Sequence, residues 1–510
     1  MKPQTLIPLI VIAVAAFFGW NAYQTCQLQL PGLPTPASCI SSPNNPTTPT
    51  TPTTPTTPTT PTTPVTVTPT TPTTPTTPTM PTTPTTSTGG APELSMVAPD
   101  VNPAANLRPE RAAILTAFSS KDYPNVMSLA DAWLNSRPAD ALVSLVRNNA
   151  LLKQRGSSVI TIGVSVPTSG KTLQAGEAVL QGVNMAVQEA NKEGGINGKS
   201  IAVEIRNDQN DRALAIQAAT SLVADSKVLG VIGPVNSSSA LAAADIYNGG
   251  LVHIAPTASD DRLADSGPWT FRMVPKNSAQ GRALARIAKQ RGFIRIPLYY
   301  DSKGAYSKGL ADAFQKEAEK VGISVVPFEY TSGSLPDQPA FDVYQDSPAP
   351  DAAFISGDYT DVARIAKALR EQKIAVPLIA GDSAYSQSLL QDAGQAVEGL
   401  TLVSYFHASA TSVGSTLSFV KAFGNRYGGG TPNARAAQAY DATRTLLEAI
   451  KRAKTQDRAG VKAALNTFTS EKPGPGVTSK VQFKDGGIVG RPFVVIQVVQ
   501  GKLVSSGTVQ

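Results

Sequence analysis

Apolar positions recur along this chain with different spacings in different regions. From Val159 onward, apolar runs of four to six residues alternate with segments whose apolar positions fall every three or four residues. "VITIGVSV", "SIAVEIRND", "VLGVIGP" and "LVHIAP" read as strands; "GEAVLQGVNMAVQEANK", "RALAIQAATSLVAD" and "SSALAAADIYNG" read as helices between them. The same rhythm resumes at "IPLYYD", "KGLADAFQKEAEKVG", "SVVPFEY", "AAFISG", "YTDVARIAKALREQ" and "PLIAG". Such runs followed by amphipathic helices predict parallel sheets covered on both faces. Two series exceed the usual size of one sheet, so the expected class is α/β with two doubly wound lobes.

Upstream the spacing is purely helical. Residues 109–155 place Ile114, Leu115 and Phe118, then Val126, Leu129 and Trp133, then Leu142, Leu145 and Val146 at helical intervals. "SSKDYP" and "NSRPAD" divide them, which predicts three short helices. The piece resembles about one tetratricopeptide unit. One unit cannot bury its own apolar face, so it is expected to pack on the following domain, with partner docking as the alternative.

Pro46 to Thr86 holds almost no apolar residue and repeats Pro-Thr-Thr, broken once by "VTVT" at 65–68. This composition cannot build a core. As polyproline II, at ~3.1 Å per residue, the tract can reach on the order of 130 Å. It reads as a disordered, semi-stiff stalk and a candidate for O-glycosylation. Before it stands the apolar run "LIPLIVIAVAAFFGW" at 6–20, behind Lys2. That pattern directs export of the downstream chain, either as an uncleaved membrane anchor or as a removed signal. The expected organisation is anchor or signal 1–27, stalk 28–103, helical segment 104–156 and a two-lobed domain 157–510. Lobe I then comprises about 157–275 and 406–478, and lobe II about 276–405 and 479–510.

The formal net charge is +7, yet the densest basic stretch, "KRAKTQDR" at 451–458, is interleaved with small and acidic residues. It reads as a solvated helix face, not a nucleic-acid patch. The only cysteines, Cys26 and Cys39, precede the folded part and can form a bridge or remain thiols. Of two histidines, His253 lies inside "LVHIAP" and reads as a core residue. No Ser/His/Asp or metal-ligand spacing emerges, so the sequence points to neither an enzyme nor a cofactor.

"IGVSVPTSGKT" at 162–172 imitates a phosphate loop. Ser165 stands where the first glycine belongs, however, and "LQAGEAV" intervenes before helical spacing begins. Because ligands in open parallel sheets sit beyond the C-terminal strand ends, the residues there matter more. After "VLGVIG" come Ser237, Ser238 and Ser239 at a helix start, where hydroxyls cap and free N–H groups can bind a carboxylate. After "LVHI" come Thr257, Ala258 and Ser259. On the second series, Tyr306 follows "IPLYYD", Asp358 and Tyr359 follow "AAFISG", and Asp382 follows "PLIAG". Each aspartate alone reads equally as a helix cap. Together, hydroxyls on one lobe and carboxylates on the other suit a small zwitterion whose two buried charges are both paired.

"GGINGKSIAVEIRNDQND", "GPVNSSSALAAADIY", "LVHIAPTAS", "FRMVPKNSAQGRALA", "AYSKGLADAF" and "AAQAYDA" occur in that order. As a set they resemble the leucine/isoleucine/valine-binding proteins, type I periplasmic binding proteins that feed ABC importers. The resemblance covers about 157–510 and implies two lobes joined by three crossovers that close on a ligand. It further implies that Ser237 and the "PTAS" turn hold an amino acid's charged ends. Tyr306 would contribute from the other lobe, and Asp382 would face the ammonium. The loop at 162–172 would lie at the cleft mouth. Departures are Asn210 and Asn236 where a disulfide can stand, Asp382 in place of a longer glutamate, and Asp358 in place of an aromatic. The segment leading in through "RNNALL" resembles anchored receptors of cyanobacterial type. The implied partners are a small-molecule ligand, an amino acid by this likeness, an ABC permease and the membrane. A surface sensor of the same fold, without transport, is the alternative.

Overall fold

A computed structural model describes residues 109–409 and 414–510. The apolar run at 6–20, the Thr/Pro tract and both cysteines lie outside the described residues. Among those described, no helix is long and apolar enough to cross a membrane.

Three helices come first: α1 (Pro109–Ser119), α2 (Tyr123–Ser136) and α3 (Ala141–Gln154). Asp140 knots them together. It caps α3 by accepting the Val143 N–H at 3.1 Å, accepts the Trp133 indole N–H of α2 at 2.9 Å, and pairs with Arg111 of α1 at 2.9 Å. The apolar faces of all three helices merge with the core of the next domain.

That domain opens with β1 (Val159–Val166), α4 (Leu173–Lys192), β2 (Ser200–Asn207), α5 (Arg212–Ala224), β3 (Val228–Ile232), α6 (Ser237–Tyr247), β4 (His253–Ala255) and β5 (Thr270–Arg272). The second lobe follows as α7 (Asn277–Gln290), β6 (Arg295–Asp301), α8 (Ala305–Lys320), β7 (Ser324–Tyr330), β8 (Ala353–Ser356), α9 (Tyr359–Glu371), β9 (Leu378–Ala380), α10 (Gln387–Ala393) and β10 (Thr401–Ser404). The chain then runs through α11 (Gly414–Arg426), α12 (Ala434–Arg452) and α13 (Arg458–Leu465) to β11 (Phe483–Lys484) and β12 (Gly487–Ile488) in the first sheet. It ends in the second with β13 (Phe493–Val499) and β14 (Lys502–Val509). Each sheet has seven strands, ordered β11-β12-β5-β4-β3-β1-β2 and β14-β13-β10-β9-β8-β6-β7.

The two-lobed α/β architecture is the one expected, with two differences. The sheets are mixed, because β11 runs antiparallel to β12, and β13 antiparallel to both β10 and β14. The last crossing also comes later than the 478/479 boundary suggests: β12 pairs with β5, so the chain leaves lobe I only between Ile488 and Phe493. Short strands reached by tight turns carry no periodic signal, which is why the pattern missed them.

Two close approaches fix the helices and crossings around the cleft. Gly182 on α4 lets α12 press against it; a Cβ there would stand 2.1 Å from the Ala436 carbonyl oxygen and 2.7 Å from the Tyr440 nitrogen. At the hinge, buried Arg491 of the third crossing donates to the carbonyl of Met273 in the first at 2.7 Å and of Tyr405 in the second at 3.3 Å.

The helical segment covers the open edge of β2. Asn149 of α3 donates to the Val203 carbonyl at 2.7 Å and accepts the Val203 N–H at 3.1 Å. From lobe I itself, Asn191 of α4 does the same for Ile201, at 3.1 and 2.6 Å. Two side-chain amides thus replace a neighbouring strand and close an edge that would otherwise offer itself for pairing. Replacing Asn149 with alanine strands one buried donor and one acceptor. Asn149→Ala should therefore lower the unfolding free energy by about 2–4 kcal/mol, measured by urea denaturation, whereas Asn148→Ala on the more exposed side should cost less.

Candidate functional site

Between the lobes lies a cavity of about 300 Å³. Of the residues expected at strand ends, Ser237, Ser238 and Thr257 line it from lobe I, and Tyr306, Asp358 and Asp382 from lobe II. The turn after β4 and the helix start after β3 build the first wall. The loops after β6, β8 and β9 build the second.

The serines do other work than capping. Asn236 occupies the N-cap of α6 without a side-chain cap bond. Ser237 Oγ instead accepts the N–H groups of Ser259 and Asp260 at 3.2 and 3.3 Å, and so shapes the turn after β4. Ser238 Oγ accepts the Ala305 N–H of α8 at 3.1 Å, a bond between lobes. Thr257 donates to the Val235 carbonyl at 2.7 Å. Ser239 donates to Asn210 at 3.3 Å, joining two segments that a family disulfide would staple.

Three expected residues stand off the cavity wall. Ala258 is buried in a small apolar cluster with Ala240, Ala255 and Leu263. Ser259 donates to Asn277 Oδ1 at 2.7 Å and steadies the first crossing. Tyr359 reaches across the cleft, its hydroxyl donating to Gln174 Oε1 at 3.1 Å, and Ser388 contacts the same oxygen. Gln174 stands two residues after the loop at 162–172, and no residue of that loop lines the cavity, so the loop sits beside the closing contacts.

Asp382 is the most elaborately held acid. Its Oδ1 accepts from Gln280 Nε2 at 2.7 Å and from Tyr306 Oη at 2.8 Å, and its N–H donates to Gln280 Oε1 at 3.1 Å. Gln280 also donates to Tyr405 Oη at 2.9 Å. Gly381 must be small here, because a Cβ would fall 2.3 Å from Tyr306 Oη. Asp358 sits at the N-cap of α9 but makes no cap bond; it accepts from Ser383 Oγ. Both carboxyls open onto the cavity yet lie deep between the lobes. Loss of hydration raises the pKa of each above the ordinary range, opposed by hydrogen bonds from Gln280 and Tyr306 to Asp382 and from Ser383 to Asp358, and by nearby Arg435.

Sequence reasoning missed Arg435, Gln438, Ser383 and Gln280. Arg435 comes from α12 of lobe I and donates to the Ser383 carbonyl and hydroxyl at 3.2 and 3.3 Å. Arg435 and Gln438 are polar residues three apart in the alanine-rich "NARAAQAYDA", and that spacing on a buried helix was the available signal. Histidine takes no part. His253 is buried, contacts Gly233 O at 3.1 Å and Thr270 Oγ1 at 3.0 Å, and burial pushes its pKa down to about 4. No cluster of three or more potential metal-binding side chains occurs among the described residues.

Residues 159–502 match the sequence profile of the family described as periplasmic binding protein. The chain is 28% identical over 309 residues to the Leu/Ile/Val-binding protein homolog 1 of Brucella suis, spanning 60% of this chain and 82% of that protein. It superposes with a TM-score of 0.65 and 26% identity on the leucine binding protein LivK of Thermotoga maritima, covering 69% of this chain and 99% of that one. The branched-chain amino acid transporter substrate binding protein LivJ of Streptococcus pneumoniae, in complex with isoleucine, gives a TM-score of 0.64 and 26% identity over 69% and 100% of the two chains.

The raised acids make a testable statement about the ligand-free protein. A carboxyl whose pKa is higher folded than unfolded stabilises the fold below its unfolded pKa and loses that contribution as pH rises through the folded value. Asn in place of Asp382 keeps an oxygen for Gln280 and Tyr306 and removes the buried charge. Asp382→Asn should therefore melt higher than the parent at pH 7, the gap narrowing as pH falls toward the ordinary carboxylate value of about 4, by calorimetry at several pH values.

Proposed function

The chain belongs to the periplasmic binding protein family, and from that premise we propose that it is an extracytoplasmic receptor that captures an amino acid between its lobes and delivers it to an ABC importer. One observation carries the reading: the inter-lobe cavity has hydroxyls and a helix N-terminus on one wall and two half-buried carboxyls on the other. An ammonium set beside Asp382 and Asp358 supplies the charge that their burial lacks. A carboxylate set at the first turn of α6 meets N–H groups and a favourable helix dipole. The bonds Ser238–Ala305, Tyr359–Gln174 and Arg435–Ser383 all join lobe to lobe. A ligand touching both walls favours this closed arrangement by its differential contacts, and a permease reads the closed shape. The apolar run at 6–20 directs export, as anchor or signal, and the Thr/Pro tract spaces the receptor from the surface.

A thermal-shift screen of the full chain against amino acids, short amides, urea and purines tests this. A ligand at 100 times its Kd should add about 2.7 kcal/mol to the native state. Asp382→Ala should weaken an amine-bearing ligand by about 30-fold or more, because the ammonium is left without its partner. An Asp382→Ala chain that keeps the parent's full shift would show the site to be misplaced. Stimulation of uptake by a neighbouring permease checks the delivery step.

A further inference from the structure

Gln438 is fully buried and lines the cavity, and neither its Nε2 nor its Oε1 has a partner among the described residues. Its position on α12, three residues after Arg435, turns both side chains to one helix face. A buried amide with neither donor nor acceptor used is costly and uncommon. The apolar lining beside it is scant: Val235 and Ala434, with the rings of Tyr306 and Tyr385. An aliphatic side chain would therefore meet mostly polar walls and would leave Gln438 unbonded.

The charge of the cavity narrows the choice. Five aspartates line it against three basic residues, and Asp361 is already paired with Arg364 at 2.7 Å. Arg435 turns one nitrogen, Nη2, to Ser383, which in turn contacts Asp358, and its charge is shared with Asp358 and Asp382. The acidic excess of the lining favours a ligand of net charge zero or above over one with an additional carboxylate. Of uncharged groups, a carboxamide offers an N–H donor and a C=O acceptor in the geometry of a reciprocal amide pair.

Resting on the amino-acid reading above, we propose that the ligand is an amino acid whose side chain ends in a carboxamide, recognised by a two-bond amide pair with Gln438. Gln438 is then the specificity-determining residue.

Isothermal titration calorimetry of the full chain with L-glutamine, L-asparagine, L-glutamate, L-leucine and L-alanine decides it. One of the two amides should bind at least about 100-fold more tightly than leucine, because the other ligands leave the buried amide unmatched. Gln438→Leu should weaken the better amide by at least about tenfold and shrink its preference over leucine by more than that. Leucine or glutamate binding as tightly as the better amide would overturn the proposal, and so would a Gln438→Leu chain with parental amide affinity. If the variant fails to fold, the ranking of ligands on the parent chain is sufficient. Leucine bound without either amide would defeat this inference and leave the amino-acid receptor standing, whereas no binding by any amino acid would defeat both.

Discussion

The guanidinium of Arg491 sits where the three connections between the lobes meet. It is buried, its pKa is pushed down to about 10 by loss of hydration, and it binds the carbonyls of Met273 and Tyr405. A buried cation must find partners, and here the partners are the other two crossings. The three crossings are therefore tied to one another at a single bonded point, which makes it the natural hinge between the lobes. Arg491 also lies over the Tyr405 ring, at 5.9 Å from its centre. Tyr405 accepts from Gln280, and Gln280 brackets Asp382. The hinge and the acid at the centre of the cleft thus share one hydrogen-bonded chain.

The same constraint, applied to anions, organises the cleft. Asp358 and Asp382 are held by hydroxyl, phenol and amide donors, none of which carries a formal charge, and Arg435 stands one residue removed at Ser383. Neutral donors soften the burial of a carboxylate but do not cancel it. A site so arranged leaves the two carboxylates incompletely compensated, which is the feature the proposed ammonium answers. Of the cross-lobe bonds, the one at Ser238 crosses beside the cavity wall and the one at Gln174 lies off it.

The helical segment has a structural role that its composition only hinted at. Its Asn149 joins Asn191 of α4 in finishing the edge of β2, and the apolar faces of α1 to α3 merge with the lobe I core. The expectation that one isolated helical unit packs on its neighbour is met in that way. Of the residues that the strand-end rule singled out, Ser237, Ser238, Thr257, Tyr306, Asp358 and Asp382 line the cavity. The rule had no means of finding Arg435 or Gln438, which reach the cleft from a returning helix. It also placed Ala258, Ser259 and Tyr359 in the cavity wall, whereas a turn one residue longer or shorter moves a side chain to the core, the crossing or the rim.

The sequence by itself determined what is local: strands from unbroken apolar runs, helices from 3.6-residue spacing, the division into two series, and a polar strand-end chemistry suited to a small charged ligand. These arise from neighbours along the chain. Tertiary structure alone decided where the third crossing falls, which hydroxyls line the cavity and which brace a turn, and how Gln438 comes to be buried without partners among the described residues. Those outcomes depend on which distant segments approach. Gly182 admitting α12 and Arg491 gathering three crossings are contacts between residues far apart in sequence, and no local pattern encodes them.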